Sequence, residues 1–577
     1  MKKSFTILTV FTVLFFCGCS ENSVQQSSHL RFGTSGVVKS LDPARGSDLV
    51  SRNMCGVIYD TLLQYDYPNI PYKLEPSMLA EMPQVSADGK TYSFKLRNDL
   101  YFHESELFNS PEDRRVTADD VIFSFKRIID THMNSPVYWI FRNKIKGIAE
   151  FRKATASDCN YNYPELEGLK KTGEFSFEIT LNVPDYRFLY FLALPNCGIV
   201  SEKAVKADPD HFNTRPVGSG AFKLTEWQKG YKLKFLRYGN YRKEFFPQAQ
   251  NPADRQKKLP LADGMTFYIF TRSFAPWLLF LQKELDMAVL DKDNLDILGE
   301  NGELPDDLKK KNIRLYRTPS FELRYVGFNF RDPLFAKNHK LRMALSCAYN
   351  LPRRLAHYKG QLLPAPGPVA PGVAGSNPDW QNPCPFDLER AKKLLAEAGY
   401  PDGIDPQTKE PLTLTFDLNG TSSTHRQLGE LMVSDMAKIG VKIIPVLNSS
   451  PRFFAKMASG QIKLFYLSWA GDYPDAENFL QLFYGPNANS CNRTCYQNPE
   501  FDAMFKQIIP MPDTPERTKL YRRMSDYIST QTPWIFDGIP VDYQLTHSYI
   551  ENFVPYNFNF NYHKYLTKNN RKHSLKK

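Results

Sequence analysis

The residues of this chain best suited to chemistry lie at the end of one apolar run. Leu464-Phe-Tyr-Leu-Ser-Trp469 has the composition of a buried strand, and Asp472 follows it in Ala470-Gly-Asp-Tyr-Pro-Asp475. A carboxylate beside a buried indole is costly unless a cation meets it. The arrangement therefore points to charge recognition. Asp472 would need something cationic to meet it.

Other chemistry is missing from the pattern. The chain has no H-E-x-x-H, no second His four residues from any other, no P-loop and no G-x-G-x-x-G. Gly33-Thr-Ser-Gly36 lacks the spacing of a nucleophile elbow. His103-Glu104, after a strand, reads as a surface turn, and Asp119-Asp120 as the start of a helix. Cys491 and Cys495 would need two further ligands to hold zinc, and no His or other Cys lies nearby in sequence. They read as a disulfide or as two free thiols. Seven cysteines follow Cys19, so at least one thiol stays unpaired within a monomer. These readings point away from an enzyme and call for no metal and no cofactor. An exported hydrolase with catalytic groups distant in sequence is the remote alternative.

With 577 residues and 42% hydrophobic content, the chain can build a large core in several domains. Lys2, Lys3 and six basic residues between 564 and 577 carry most of the net charge of +11, so the body is close to balance. A balanced body argues against a nucleic-acid partner. Lys564, Lys568, Arg571, Lys572, Lys576 and Lys577 read as a solvated basic tail, or as a weak attraction to anionic lipid headgroups. At the other end, Lys2-Lys3 precedes the apolar run Phe5–Phe16, which is too short to span a bilayer and has the form of an export signal. The Ser20–Ser28 segment has the composition of a flexible tether.

The elements that must position Asp472 can be read from periodicity. Lys90–Arg97 alternates Tyr92, Phe94 and Leu96 as a half-buried strand does. Thr117 caps a helix that places Val121, Ile122, Phe125, Ile128 and Ile129 on one face. Strands are expected at Leu30–Thr34, 173–183, 217–238, Arg324–Arg331, Leu412–Leu418 and Val441–Val446. Helices are expected at Asn338–Tyr349, after Asp387, at Thr424–Ile439 and at 516–531. Pro364–Pro385 is a long Pro/Gly-rich loop. Alternating strands and helices from about 320 onward argue for an α/β lobe, and the strand-rich 64–194 segment for a separate α+β lobe.

Several stretches together resemble family 5 of the extracytoplasmic solute-binding proteins, in particular the oligopeptide- and dipeptide-binding lipoproteins of ABC importers. Ser40-Leu-Asp-Pro43 resembles the family's opening. Leu79-Ala-Glu81, Ser86-Ala-Asp-Gly-Lys-Thr-Tyr-Ser-Phe-Lys-Leu-Arg97, Phe102-His103 and Val116-Thr-Ala-Asp-Asp-Val-Ile-Phe-Ser-Phe-Lys-Arg127 resemble its most diagnostic block. Pro216-Val-Gly-Ser-Gly-Ala-Phe-Lys-Leu224, Val326-Gly-Phe-Asn-Phe330, Ala391-Lys-Lys-Leu-Leu-Ala-Glu-Ala-Gly-Tyr400 and Trp469-Ala-Gly-Asp-Tyr-Pro-Asp475 complete the set. The family's usual Asp is Asn350 here, and Phe16 stands where the lipidation motif usually has Leu.

The resemblance implies a two-lobe α/β fold of the periplasmic-binding-protein type with an extra α+β domain, closing on ligand about a hinge. Residues 29–63, 195–320 and 536–566 would form the first lobe, 64–194 its extra domain and 321–535 the second lobe. Residues 1–18 would be the signal peptide, 19–28 the tether and 567–577 the tail. Cys19 would be lipidated and hold the protein to a membrane. The ligand would be an extended peptide, paired by its backbone and held at its ends by charge. Asp472 would receive the α-ammonium, with Trp469, Ala470 and Gly471 as backbone and wall. Ser47, Asp48 and Leu49 match a first-lobe strand that pairs with the ligand. His425, or Arg426, matches a position near the ligand's carboxylate, and Tyr466 stands where some members have a basic carboxylate partner. The partners would be an ABC permease and its ATPase subunits, with the receptor itself a monomer. The nearest alternative is the same fold holding an oligosaccharide, a nickel chelate or another small solute. In each of these Asp472 can instead brace its own loop.

Overall fold

The computed structural model describes residues 28–569 apart from 68, 71, 271–273, 291, 300, 301, 556 and 559. Cys19 and its signal, and the tail from Arg571 on, lie outside the described residues.

Period-two burial forms the first sheet. Thr91–Lys95 buries Tyr92 and Phe94 and pairs with Gln84–Val85 and Ser176–Thr180, with Leu169–Gly173 beyond. Helix Ala118–Ile129 begins at a capping box in which Asp120 accepts from the Thr117 amide at 3.0 Å. Burial pushes the Asp120 carboxyl up to about 6, against hydrogen bonds from the Thr117 and Glu202 amides. A second sheet runs in the order His29–Ser35, Gly264–Phe270, Lys232–Arg237, Phe222–Gln228. Its first pair is parallel and the others antiparallel.

The largest sheet is organised by the strand Trp534–His547. Its C-terminal half pairs with Met287–Leu290 and Ile313–Pro319, and its N-terminal half with Glu322–Phe328 and Leu362–Pro364. The chain passes between the halves at Pro319–Glu322 and at Gly538–Val541, tied by the Ser320 amide donating to the Pro540 carbonyl at 2.7 Å. Beyond Glu322–Phe328 lie Leu464–Ala470, Thr413–Asn419 and Lys442–Asn448. The last three are mutually parallel, and the helices Ser423–Ala437 and Ser450–Ala458 supply the crossovers that parallel pairing requires.

Three sequence expectations are corrected. His103 is buried, not in a surface turn: its Nε2 lies 2.9 Å from the Gly220 carbonyl, its ring packs on Tyr238, and burial pushes its pKa down to about 4. Lys564 and Lys568 are not solvated tail residues. Lys564 is buried 2.8 Å from Glu244, and Lys568 lies 2.9 Å from the buried Asp286. The strand expected at Arg324–Arg331 is Glu322–Phe328, because the chain turns at Asn329, whose side chain bonds back to Ile462 at 2.6 Å.

One buried ion pair holds the loop that leads into the cleft. Arg127 clasps Asp42 with two bonds, of 3.1 and 2.8 Å, and both side chains are 3% exposed. The Asp42 carbonyl also accepts from the Arg45 and Gly46 amides. Asp42→Ala leaves the guanidinium buried and unpaired. It should lower the unfolding free energy by about 3–5 kcal/mol, read from urea denaturation. Arg45→Ala, half exposed at 3.8 Å from the same carboxylate, should cost less than about 1 kcal/mol. Equal losses would refute the assignment.

Candidate functional site

A cavity of about 570 Å³ opens between two groups of segments. On one side are Gly46, Ser47 and Arg52, the Pro136–Lys144 segment, and Arg187 with Phe191. On the other are Trp469, Asp472, Tyr473 and Glu477, followed by Gln481 and Tyr484.

Asp472 is positioned by its strand. Leu464–Ala470 pairs with Glu322–Phe328 as far as Ala470 opposite Glu322, and the Gly471 amide then donates to the Phe321 carbonyl at 2.8 Å. A Cβ on Gly471 would fall 1.8 Å from the Phe321 ring, so this close approach admits glycine alone. Asn478 fixes the next step. Its Oδ1 accepts from Trp469 Nε1 at 3.0 Å and from the Asp472 amide at 3.1 Å. The carboxylate faces across the cavity, where Arg52 NH1 lies 3.4 Å from Oδ1. The cation that meets Asp472 in this structure is thus the protein's own. Burial pushes the Asp472 carboxyl above its usual range, and Arg52 and Asn478 offset part of that.

Arg52 is presented by helix Leu49–Ile58, whose N-cap is Asp48. Asp48 Oδ1 accepts from the Ser51 amide at 2.8 Å. This capping corrects the expectation of a strand at Ser47–Leu49. Ser47 is irregular and lines the cavity, Asp48 is spent on the cap, and Leu49 is the exposed first residue of a helix.

Deeper in the cavity wall, Arg187 joins the two sides. It clasps Asp185 with bonds of 2.6 and 2.7 Å and reaches Glu477 on the far side. Lys144 adds a bond of 2.8 Å to Asp185. Burial raises the Asp185 carboxyl, but Arg187 and Lys144 outweigh it and hold it well below the usual carboxylate range. At Glu477 burial wins, and the carboxyl is pushed up despite Arg187 and the Tyr473 hydroxyl that donates to it. Tyr190 stacks on Tyr473 with ring centroids 5.9 Å apart, closing this side of the contact.

Of the residues singled out in the sequence, Ser47, Trp469 and Asp472 line the cavity. Ala470 and Gly471 build the strand end behind it. His425 and Arg426 sit in the first turn of Ser423–Ala437 and off the cavity lining. His425 Nδ1 lies 2.7 Å from Ser422 Oγ, and burial, then the charge of Arg324, lowers its pKa. The Tyr466 hydroxyl is committed to Asp537 at 2.7 Å, beside Arg354 at 2.9 Å from the same carboxylate. Sequence reasoning missed Arg52, Arg142, Lys144, Arg187 and Glu477. No local pattern pairs Arg187 with Glu477, 290 residues apart.

Cys491 and Cys495 are free thiols here, and burial pushes Cys491 up to about 11. Among the described residues no group of three or more His, Cys, Asp or Glu is arranged to hold a metal ion, and no helix is long and apolar enough to cross a membrane.

The chain is similar to known proteins over most of its length. Heme-binding protein A of Haemophilus influenzae is 29% identical over 486 residues, which is 83% of this chain and 81% of that protein. Glutathione-binding protein GsiB of Escherichia coli O1:K1 is 26% identical over 504 residues, 86% of each. The ABC transporter-associated periplasmic binding protein DppA of Helicobacter pylori, solved in complex with the peptide STSA, has the same fold. It matches with a TM-score of 0.70 and 22% identity, over 94% of this chain and 98% of that one. A family model described as bacterial extracellular solute-binding proteins, family 5 Middle, matches residues 73–491. The chain therefore belongs to the family 5 bacterial extracellular solute-binding proteins.

Proposed function

We propose that this protein captures short peptides between its lobes and hands them to a membrane permease, with Asp472 receiving the ligand's α-ammonium. The observation that carries this reading is the state of Asp472. Its carboxylate faces the cavity from a strand end, its one cationic partner among the described residues lies at 3.4 Å, longer than a good charge-assisted hydrogen bond, and burial makes its charge costly. A ligand amine that replaces Arg52 satisfies that charge at shorter range. Of the two relatives above, one is named for binding the tripeptide glutathione and one for binding heme. Heme iron takes His, Cys, Met or Tyr ligands; among the described residues no His or Met lines this cavity, Cys491 is held as a thiol and Tyr473 is committed to Glu477, which leaves Tyr484.

In this reading residues 29–63, 195–320 and 536–566 act as the first lobe, 64–194 as its extra domain and 321–535 as the second lobe. The crossings at Pro319–Glu322 and Gly538–Val541 serve as the hinge. Cys19 anchors the monomeric receptor to the membrane by a lipid, and binding proceeds without chemistry on the ligand. Ser47 and Trp469 contribute wall contacts, and His425 or Arg426 serves a longer ligand's carboxylate when the lobes move.

Two measurements by calorimetry test this. Asp472→Asn should weaken peptide binding at least tenfold with an unchanged circular dichroism spectrum, and N-acetylated peptides should bind as poorly to the native protein. Equal affinity of free and acetylated peptides would sink the ammonium role. The second concerns pH. Ligand ammonium needs the charged form of Asp472, whose pKa in the free protein lies above 3.8. Affinity should therefore be full near neutrality and fall as pH drops towards that value, with proton release on binding in the falling range. An affinity that is flat down to about pH 4 contradicts the reading.

A further inference from the structure

The charges lining the cavity do not cancel. Three of its cations each have a carboxylate partner: Arg52 with Asp472 at 3.4 Å, Lys144 with Asp185 at 2.8 Å, and Arg187 with Asp185 at 2.6 Å and with Glu477. Arg142 is the fourth. It lies on the same cavity wall as Trp139, two residues before Lys144, and among the described residues no carboxylate lies within ion-pair distance of it. Asp48, one turn before Arg52, spends one oxygen on the Ser51 amide, holds the other buried with no hydrogen-bond partner among the described residues, and lies off the lining beyond ion-pair distance of Arg52. The guanidinium of Arg52 is itself under-used. Its Nε is buried with no hydrogen-bond partner among the described residues.

The consequence depends on the peptide reading above. A bound ammonium takes Asp472, the partner of Arg52. Arg52 and Arg142, both on the cavity lining, then have no carboxylate within ion-pair distance among the described residues. An ordinary zwitterionic peptide brings one carboxylate for two such groups. We propose that the cavity selects short peptides that carry one more carboxylate than ammonium, with Arg142 receiving the additional carboxylate. A guanidinium suits this role because it forms paired, charge-assisted hydrogen bonds to a carboxylate. Arg142 thereby sets charge selectivity, while Asp472 sets the orientation of the chain.

The test uses the full-length protein and three pairs of tripeptides, Glu-Ala-Ala, Ala-Glu-Ala and Ala-Ala-Glu, each against its Gln counterpart, by calorimetry at low ionic strength. At least one Glu peptide should bind ten times or more tighter than its Gln partner. In Arg142→Gln that ratio should fall to threefold or less, and Arg142→Lys should restore part of it. No discrimination in any pair overturns the inference while leaving the peptide reading intact. Discrimination that survives Arg142→Gln overturns the assignment to Arg142. Failure of every peptide to bind overturns the peptide reading, and this inference with it.

Discussion

Arg187 is the contact on which the arrangement of the two sides depends. It is buried with one carboxylate from its own segment, Asp185, and one from across the cleft, Glu477. A guanidinium removed from water is tolerated when its donors are used, and its planar fork can serve two carboxylates at once. The same pairing brings Tyr190 against Tyr473 and so fixes where the loop after Leu464–Ala470 lies relative to the first lobe. Asp472 sits one residue before Tyr473. Its distance from Arg52 is in that sense a consequence of the deeper ion pair.

Against this fixed contact, the continuous strand Trp534–His547 gives the halves their common axis. Its two ends belong to different pairings, and the chain crosses between them beside Phe321. Phe321 packs edge-on against Phe558 and Phe479, with ring centroids 4.1 and 5.0 Å away, and it also excludes any side chain from position 471. The glycine next to the site is thus set by packing at this crossing, while the acid beside it faces Arg52 across the cavity. One short stretch meets both because the strand that ends at the cavity pairs with the one that begins at the crossing.

Much of the scaffold was legible because local rules wrote it. Thr117 with Asp120, Asp387 before its helix, and the alternation of Tyr92 and Phe94 are patterns within a few residues, and each formed the expected element. Where local rules compete, reading failed. Ser47-Asp48-Leu49 was matched to a strand, yet Asp48 is a good N-cap and takes the helix. Trp534–His547 carries Gly538 and Pro540 in its middle, which disguise a strand, and it tolerates them because a bulge and the change of pairing partner fall there.

The sequence by itself determined the family resemblance, the alternating α/β order of the second lobe and the acid at the end of an apolar strand. It could pose the question of what meets Asp472, since the cost of burying a charge depends on residue type and local apolarity. The partner was decided by tertiary structure alone. Arg52 lies 420 residues away from Asp472, and Arg187 lies 290 from Glu477. Pairing across such separations is set by where helices and loops pack, and no period or motif in one chain encodes it. For the same reason nothing in the sequence marks Arg142, an exposed arginine that folding places on one cavity lining with three cations that already have partners.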